Sequence, residues 1–121
     1  MNACFAKADG LWYWGKTYGG GGIFRFAESD ISPVDISRGT NPPYATIFPD
    51  EFVKSFVIDA TNQILYAVIR DKGLYAVPLT DITANDATKT NTKAESKYLV
   101  ASFKSDSEGS VGEYVDVCQM V

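Results

Sequence analysis

The sequence predicts an all-β protein built from two similar, four-stranded antiparallel units. Three observations carry this expectation. Short runs rich in Val, Ile, Tyr, Phe and Trp are broken every 8 to 12 residues or so by Gly, Pro, Asn or Asp, which is the spacing of strands and turns. No stretch sustains the period of an amphipathic helix. The chain also repeats itself. Residues 22–31, GIFRFAESDI, lie over residues 73–82, GLYAVPLTDI, at an offset of 51, with the Gly, an aliphatic, an aromatic and the closing Asp-Ile coinciding. LWYW lies over ILYA at an offset of 53, placing Tyr13 over Tyr66. YATIF resembles YLVASF at an offset of 54, with Tyr44 over Tyr98, and EFVKSFVID resembles EYVDVCQMV.

In chain order, the first unit is expected to place strands at 3–8, 11–18, 22–28 and 44–48. Asp9-Gly10 is a tight-turn dipeptide between the first two strands, and the glycines from Gly19 to Gly22 open the third. The second unit is expected to place strands at 53–60, 63–70, 73–79 and 97–104, with turns at Asn62-Gln63 and Lys72-Gly73. The longer polar segments DISPVDISRGTNPP and DITANDATKTNTKAES carry the chain from third to fourth strand as solvated connections, and Pro42-Pro43 stops any helix there. Lys89, Lys93 and Lys97 belong to that solvated stretch. Residues 113–121 read as the opening strand of a third unit.

Composition bounds the function classes. A chain of 121 residues suits one ordinary domain's worth of core, with 45% apolar and 21% charged residues. A net charge of −4 argues against a surface that tracks phosphates, so nucleic acid is not an expected partner. No run of 18 apolar residues is present to insert in a membrane, and MNACFAKADG has neither the basic nor the apolar stretch of a signal peptide. With no histidine, the chain cannot supply a Ser-His-Asp triad, a Cys-His pair or the commonest zinc ligand. Cys4 and Cys118 can close a disulfide in an oxidising compartment or stand as two buried thiols.

A four-stranded antiparallel unit repeating every 50 residues or so is what a blade of a β-propeller requires. The expected division is 1–50 as one blade, 51–112 as a second and 113–121 as the first strand of a further blade. Two blades and a strand form an incomplete ring, as a fragment of a longer propeller or as a subunit completed by oligomerisation. The preferred expectation is the longer chain. The stretch ADGLWYWGKTYGGGGIFRF resembles the repeat of the two-component-regulator type of propeller, and more loosely the NHL type. In that repeat an Asp/Asn-Gly turn precedes Leu-Trp, a Gly-Thr-like segment follows, and Gly-Gly-aliphatic opens the next strand. Asp9-Gly10-Leu11-Trp12, Gly15, Thr17 and Gly21-Gly22-Ile23 match it, whereas Gln63-Ile64-Leu65-Tyr66 has neither the Gly nor the Trp. The resemblance implies a propeller and leans toward an extracytoplasmic location; propellers host sensors, lectins, scaffolds and enzymes alike.

In a blade, alternation places Trp12 and Trp14 on one face and Tyr13 on the other, and bulky aromatics there fill the space between sheets. Tyr13 and Trp12 are expected in that packing. Trp14 stands over the small Ala67, and Tyr18 lies in a loop two residues longer than its counterpart; together with Arg25 they are the candidate ligand-binding residues. The expected function is a non-catalytic binding, sensing or protein-interaction module, with a self-assembling glycan-binding lectin and a piece of a glycan-processing propeller as alternatives. Expected partners are further blades of the same or another chain and a glycan or peptide ligand. The carboxylates that a glycan-cleaving site would need, Asp9, Asp59, Asp71, Glu108 and Glu113, all flank turns, where acidic residues serve local hydrogen bonding, so no catalytic residue is assigned. SDSEGS has the spacing of neither an Asp-box nor a calcium loop, and the glycine run is followed by no Lys-Ser or Lys-Thr, so no metal or other cofactor is expected.

Overall fold

A computed structural model describes residues 4–15, 22–30, 45–82 and 91–102. They form two antiparallel four-stranded sheets. The first comprises β1 (Cys4–Ala8), β2 (Leu11–Gly15), β3 (Ile23–Ala27) and β4 (Ala45–Ile47), paired in that order. The second is built from β5 (Val53–Asp59), β6 (Ile64–Ile69) and β7 (Gly73–Pro78), closed by β9 (Leu99–Ser102). A two-residue strand between the last two, β8 (Asn91–Thr92), leaves the second unit and pairs parallel with β4. Among the described residues there is no α-helix, and no helix is long and apolar enough to cross a membrane.

The repeat read from the sequence is reproduced in the hydrogen bonding. β3 and β7 each run directly into a single 3-10 turn, Glu28–Asp30 and Leu79–Asp81, at the same offset of 51. The backbone N–H of Glu28 donates to the Gly10 carbonyl, and that of Leu79 to the Gln63 carbonyl, the position aligned with Gly10. The aligned glycines Gly22 and Gly73 share a physical cause as well. Both have positive φ (67° and 145°), and a Cβ at either would lie inside contact distance of backbone carbonyls at the adjoining outer strand: Ile47 and Phe48 for Gly22, Ala101 for Gly73. Only glycine lets the chain pass that close at the start of the third strand.

The turns differ between units. Asp9 (φ 52°) and Gly10 (φ 76°) are both left-handed, as a two-residue hairpin that follows the twist of its strands requires. The β5–β6 turn spans four residues, 60–63, rather than the expected pair; Asp59 Oδ1 accepts the Asn62 N–H at 3.1 Å and Gln63 takes the left-handed position (φ 57°). Between the sheets the chain reverses through Phe48 (φ 55°) and Asp50 (φ 64°).

The sheets pack face to face, with β5 lying against β1 and β2, so the first strands of the two units converge. Alternation decides which residues meet. From the first sheet come Tyr13, Ile23 and Ile47, and from the second Leu65, Ala67 and Val77, all fully buried. Phe48, also fully buried, lies 5.5 Å from the Tyr75 ring.

Two further expectations are corrected. Residues 97 and 98 belong to a 3-10 turn, Ser96–Tyr98, instead of the last strand; the Tyr98 N–H closes the turn on the Glu95 carbonyl and its hydroxyl donates to Asp81 Oδ2 at 3.0 Å. The polar connection after β7 is not wholly solvated, because Asn91–Thr92 joins the edge of the first sheet and Thr92 is buried. Trp12 and Tyr13 fall on opposite faces of the first sheet, as the alternation predicts. With Tyr13 turned inward, Trp12 must face outward; it is half-buried there, with Lys7 Nζ 5.4 Å from its ring centroid. The expectations on Thr17, Tyr18, Tyr44, Glu108, Glu113, Cys118 and the strand at 113–121, and on a Cys4–Cys118 disulfide, lie outside the described residues.

Candidate functional site

The first sheet has two unlike faces. Cross-strand register defines them, because residues directly opposite in an antiparallel pair share a face. Tyr13 stands opposite Ala6 and Arg25 on the face turned to the second sheet. On the other face Trp14 stands opposite Phe5 and Phe24, and one step along Trp12 stands opposite Lys7 and Phe26. Five aromatic side chains therefore lie in two adjacent rows on the outer face. The Phe5 and Trp14 rings stack at 5.6 Å between centroids, inclined by 12°. They remain 61% and 41% exposed, which makes them, with Leu99 and Val100 on β9, the most exposed large hydrophobics among the described residues. Lys7 closes one end of this surface with an ion pair to Glu28 at 3.0 Å and a cation–π contact to Trp12.

The inner face carries a different group. Arg25 is buried and its Nη1 donates to the Ile82 carbonyl at 3.2 Å, tying β3 to the segment that leaves β7. Its guanidinium also bonds the Tyr13 hydroxyl. Burial pushes the Tyr13 phenol above its ordinary pKa, the Arg25 charge and hydrogen bond oppose that rise, and the Asp9 carboxylate adds slightly to it. Next to this pair opens a cleft of about 190 Å³ lined by Asp9, Leu11, Gln63 and Thr80 as well as Tyr13 and Arg25. It is smaller than the roughly 300–1,000 Å³ of ordinary small-molecule sites. Gln63 Nε2 donates to Asp9 Oδ2 at 2.9 Å beside it, joining the two β-turns.

The three candidate residues thus do not form one constellation. Trp14 lies on the outer face of the first sheet and Arg25 on the inner one, with the sheet between them, while Tyr18 is outside the described residues. Sequence reading passed over Phe5, Phe24 and Phe26; the signal that identifies them is the register, which sets Phe5 opposite Trp14 and Phe26 opposite Trp12.

The turn carboxylates have local partners. Asp59 accepts from the Asn62 side chain at 2.7 Å as well as from its N–H, and these two bonds hold its carboxyl below the usual range. Glu51 pairs with Lys72, whose ammonium is held above its ordinary value mainly by that hydrogen bond. Asp71 occupies a left-handed turn position (φ 64°). Among the described residues no three His, Cys, Asp or Glu side chains gather as a metal site would need. The chain matches no protein-family model, no curated protein and no solved structure.

Proposed function

We propose that this chain is a non-catalytic interaction module made of β-propeller blades of the two-component-regulator or NHL type, and that its contact surface is the aromatic outer face of the first sheet. One observation carries the reading: Phe5 and Trp14 stand stacked and exposed on a five-aromatic sheet face. A large solvent-facing aromatic patch with a charged rim is the composition of a contact surface, since Trp and Phe bury much area at little entropic loss. The sequential strand order in both sheets, and the convergence of β5 on β1 and β2, support the blade interpretation. The engagement of Asp9, Asp59 and Glu51 in turn bonds and ion pairs supports a framework role for these carboxylates.

The near-parallel, exposed rings of Phe5 and Trp14 also favour a second reading, in which they stack on the apolar face of a sugar ring. Tryptophan emission tests both. Titration against panels of glycans and of extended peptides is expected to give a saturable shift that is lost in Trp14→Ala; which panel produces it separates the readings. A shift that survives Trp14→Ala and disappears in Tyr18→Ala would move the site to the loop before β3. Silence in both panels, from a protein whose emission also stays constant on dilution, would overturn the proposal.

A further inference from the structure

The two units overlay by register as well as by sequence, and the overlay says what the aromatic face lacks. Trp12 and Trp14 correspond to Leu65 and Ala67, Phe24 and Phe26 to Tyr75 and Val77, and Phe5, opposite Trp14, to Phe56, opposite Ala67. Every one of those counterparts in the second sheet is 6% exposed or less, because the first sheet covers it. The aromatic face is therefore the counterpart of a face that is covered by a neighbouring sheet.

The converse holds on the far side of the molecule. Tyr13, Ile23 and Arg25, which meet the second sheet, correspond to Tyr66, Leu74 and Ala76. By alternation these three lie on the side of the second sheet turned away from the first, where they are half-buried, while Val68, opposite Leu74 on the same side, is fully buried. That side is apolar and carries an Ala in place of the Arg25 guanidinium. The smaller, uncharged residue leaves room for side chains larger than Leu65 and Ala67, which is what Trp12 and Trp14 are.

We propose that these two faces are complementary, so that a second copy of this chain docks head to tail, the aromatic face of its first sheet covering the Tyr66 and Leu74 face of the second sheet. The contact continues the packing already seen between the two sheets of one chain. It is heterologous, each copy offering one face forward and another behind, and successive copies close into a ring if the rotation between sheets divides the circle. This rests on the reading of the aromatic face as a contact surface and names its occupant.

Sedimentation equilibrium of the full chain from micromolar to millimolar concentration tests it. The wild-type chain should associate. Phe5→Asp and Trp14→Asp on the forward face, and Tyr66→Asp on the rear face, should each weaken association about thirtyfold or more, as a charge placed in an apolar contact does. Far-ultraviolet circular dichroism and melting temperature establish that each variant is folded, and Leu74→Ser replaces Tyr66→Asp should the latter unfold. The decisive arm mixes a forward-face and a rear-face variant. One intact contact remains between them, so the mixture should give 1:1 dimers and nothing larger. A wild-type chain that stays monomeric throughout overturns the second copy as occupant; the interaction reading then stands or falls on the ligand titrations. Association broken by Phe5→Asp and Trp14→Asp but untouched by the rear-face variant would mean a symmetric pairing of two aromatic faces and would also overturn the proposal, as would a mixture that stays monomeric.

Discussion

Gly73→Ala isolates the close passage that the two units share, because Gly10 supplies its control. Both glycines have positive φ, but a Cβ on Gly10 meets nothing within 4 Å, whereas one on Gly73 runs into the Ala101 carbonyl of β9. At Gly10 the left-handed conformation costs about 1–2 kcal/mol for a non-glycine residue, and the alanine recovers about 0.4–1 kcal/mol by restricting the unfolded chain, for a net loss of about 1 kcal/mol. At Gly73 the backbone strain is of the same order or larger, and β9 must also move away from β7, which adds about 1–3 kcal/mol as overpacking does. The total is about 3 kcal/mol, so the two variants should differ by about 2 kcal/mol. In urea, with a slope of about 2 kcal/mol per molar, this separates their midpoints by about 1 M; in a thermal melt it separates them by about 8 °C. Gly22→Ala, which drives a Cβ against the Ile47 and Phe48 carbonyls, should fall with Gly73→Ala. Gly73→Ala and Gly10→Ala melting within about 2 °C of each other would refute the reasoning, because the outer strand would then be free to give way.

Arg25→Met removes a donor from both the Tyr13 hydroxyl and the Ile82 carbonyl in a buried setting, and chemical denaturation should show a loss of about 1–3 kcal/mol. Arg25→Lys should recover only part of it, since an ammonium lacks the planar fork. The Tyr13 phenol is held above its ordinary value near 10, so the stability it contributes is complete below about pH 10 and is lost as pH rises through the folded-state value. Phenolate absorbance should show Tyr13 ionising after a typical tyrosine, and later still in Arg25→Met, where the lowering influence of the guanidinium is gone. Asp59 has the opposite sign. Its carboxyl is held below the ordinary value, so its contribution is complete above about pH 4 and is lost as pH falls through the folded-state value; the melting-temperature gap between wild type and Asp59→Ala should be constant near neutrality and close in acid.

Much of the framework was legible because the signals were local and doubled. Eight strands could be read from β-branched and aromatic runs between turn residues, and the second unit disciplined the reading of the first: Gly73 stands over Gly22 and Asp81 over Asp30 because the same carbonyl approach and the same 3-10 turn recur. What escaped was set by tertiary contact. Asn91-Thr92 has no strand pattern of its own and becomes a strand because β4 presents an unpaired edge to it. Tyr98 looks like a strand residue and is claimed by a turn through its bond to Asp81. The site was legible one residue at a time but not as an arrangement. Alternation shows that Trp12 and Trp14 share a face; only the register shows that Phe5, Phe24 and Phe26 share it with them, and that Arg25 does not.

The segment after β7 changes what the folding unit is. Its residues look polar enough to be a plain connection, yet three contacts fasten it to the first sheet. Arg25 of β3 holds the Ile82 carbonyl, Asn91–Thr92 pairs with Thr46–Ile47 of β4, and the Phe48 N–H donates to the Thr92 carbonyl at 2.6 Å. The backbone bond between the Gly22 N–H and the Glu51 carbonyl adds a link from the start of β3 to the entry of β5. A sheet pair held by side-chain packing alone can slide or splay, because hydrophobic contact is not directional. Backbone hydrogen bonds fix register, and here they join the outermost strand of one unit to the connection of the next. The second unit thus lends the first a fifth strand, covering the edge that β4 would otherwise present. The interlock thus commits the inner faces to each other, and the two faces that lie outside it are the aromatic one on the first sheet and the Tyr66 and Leu74 side of the second.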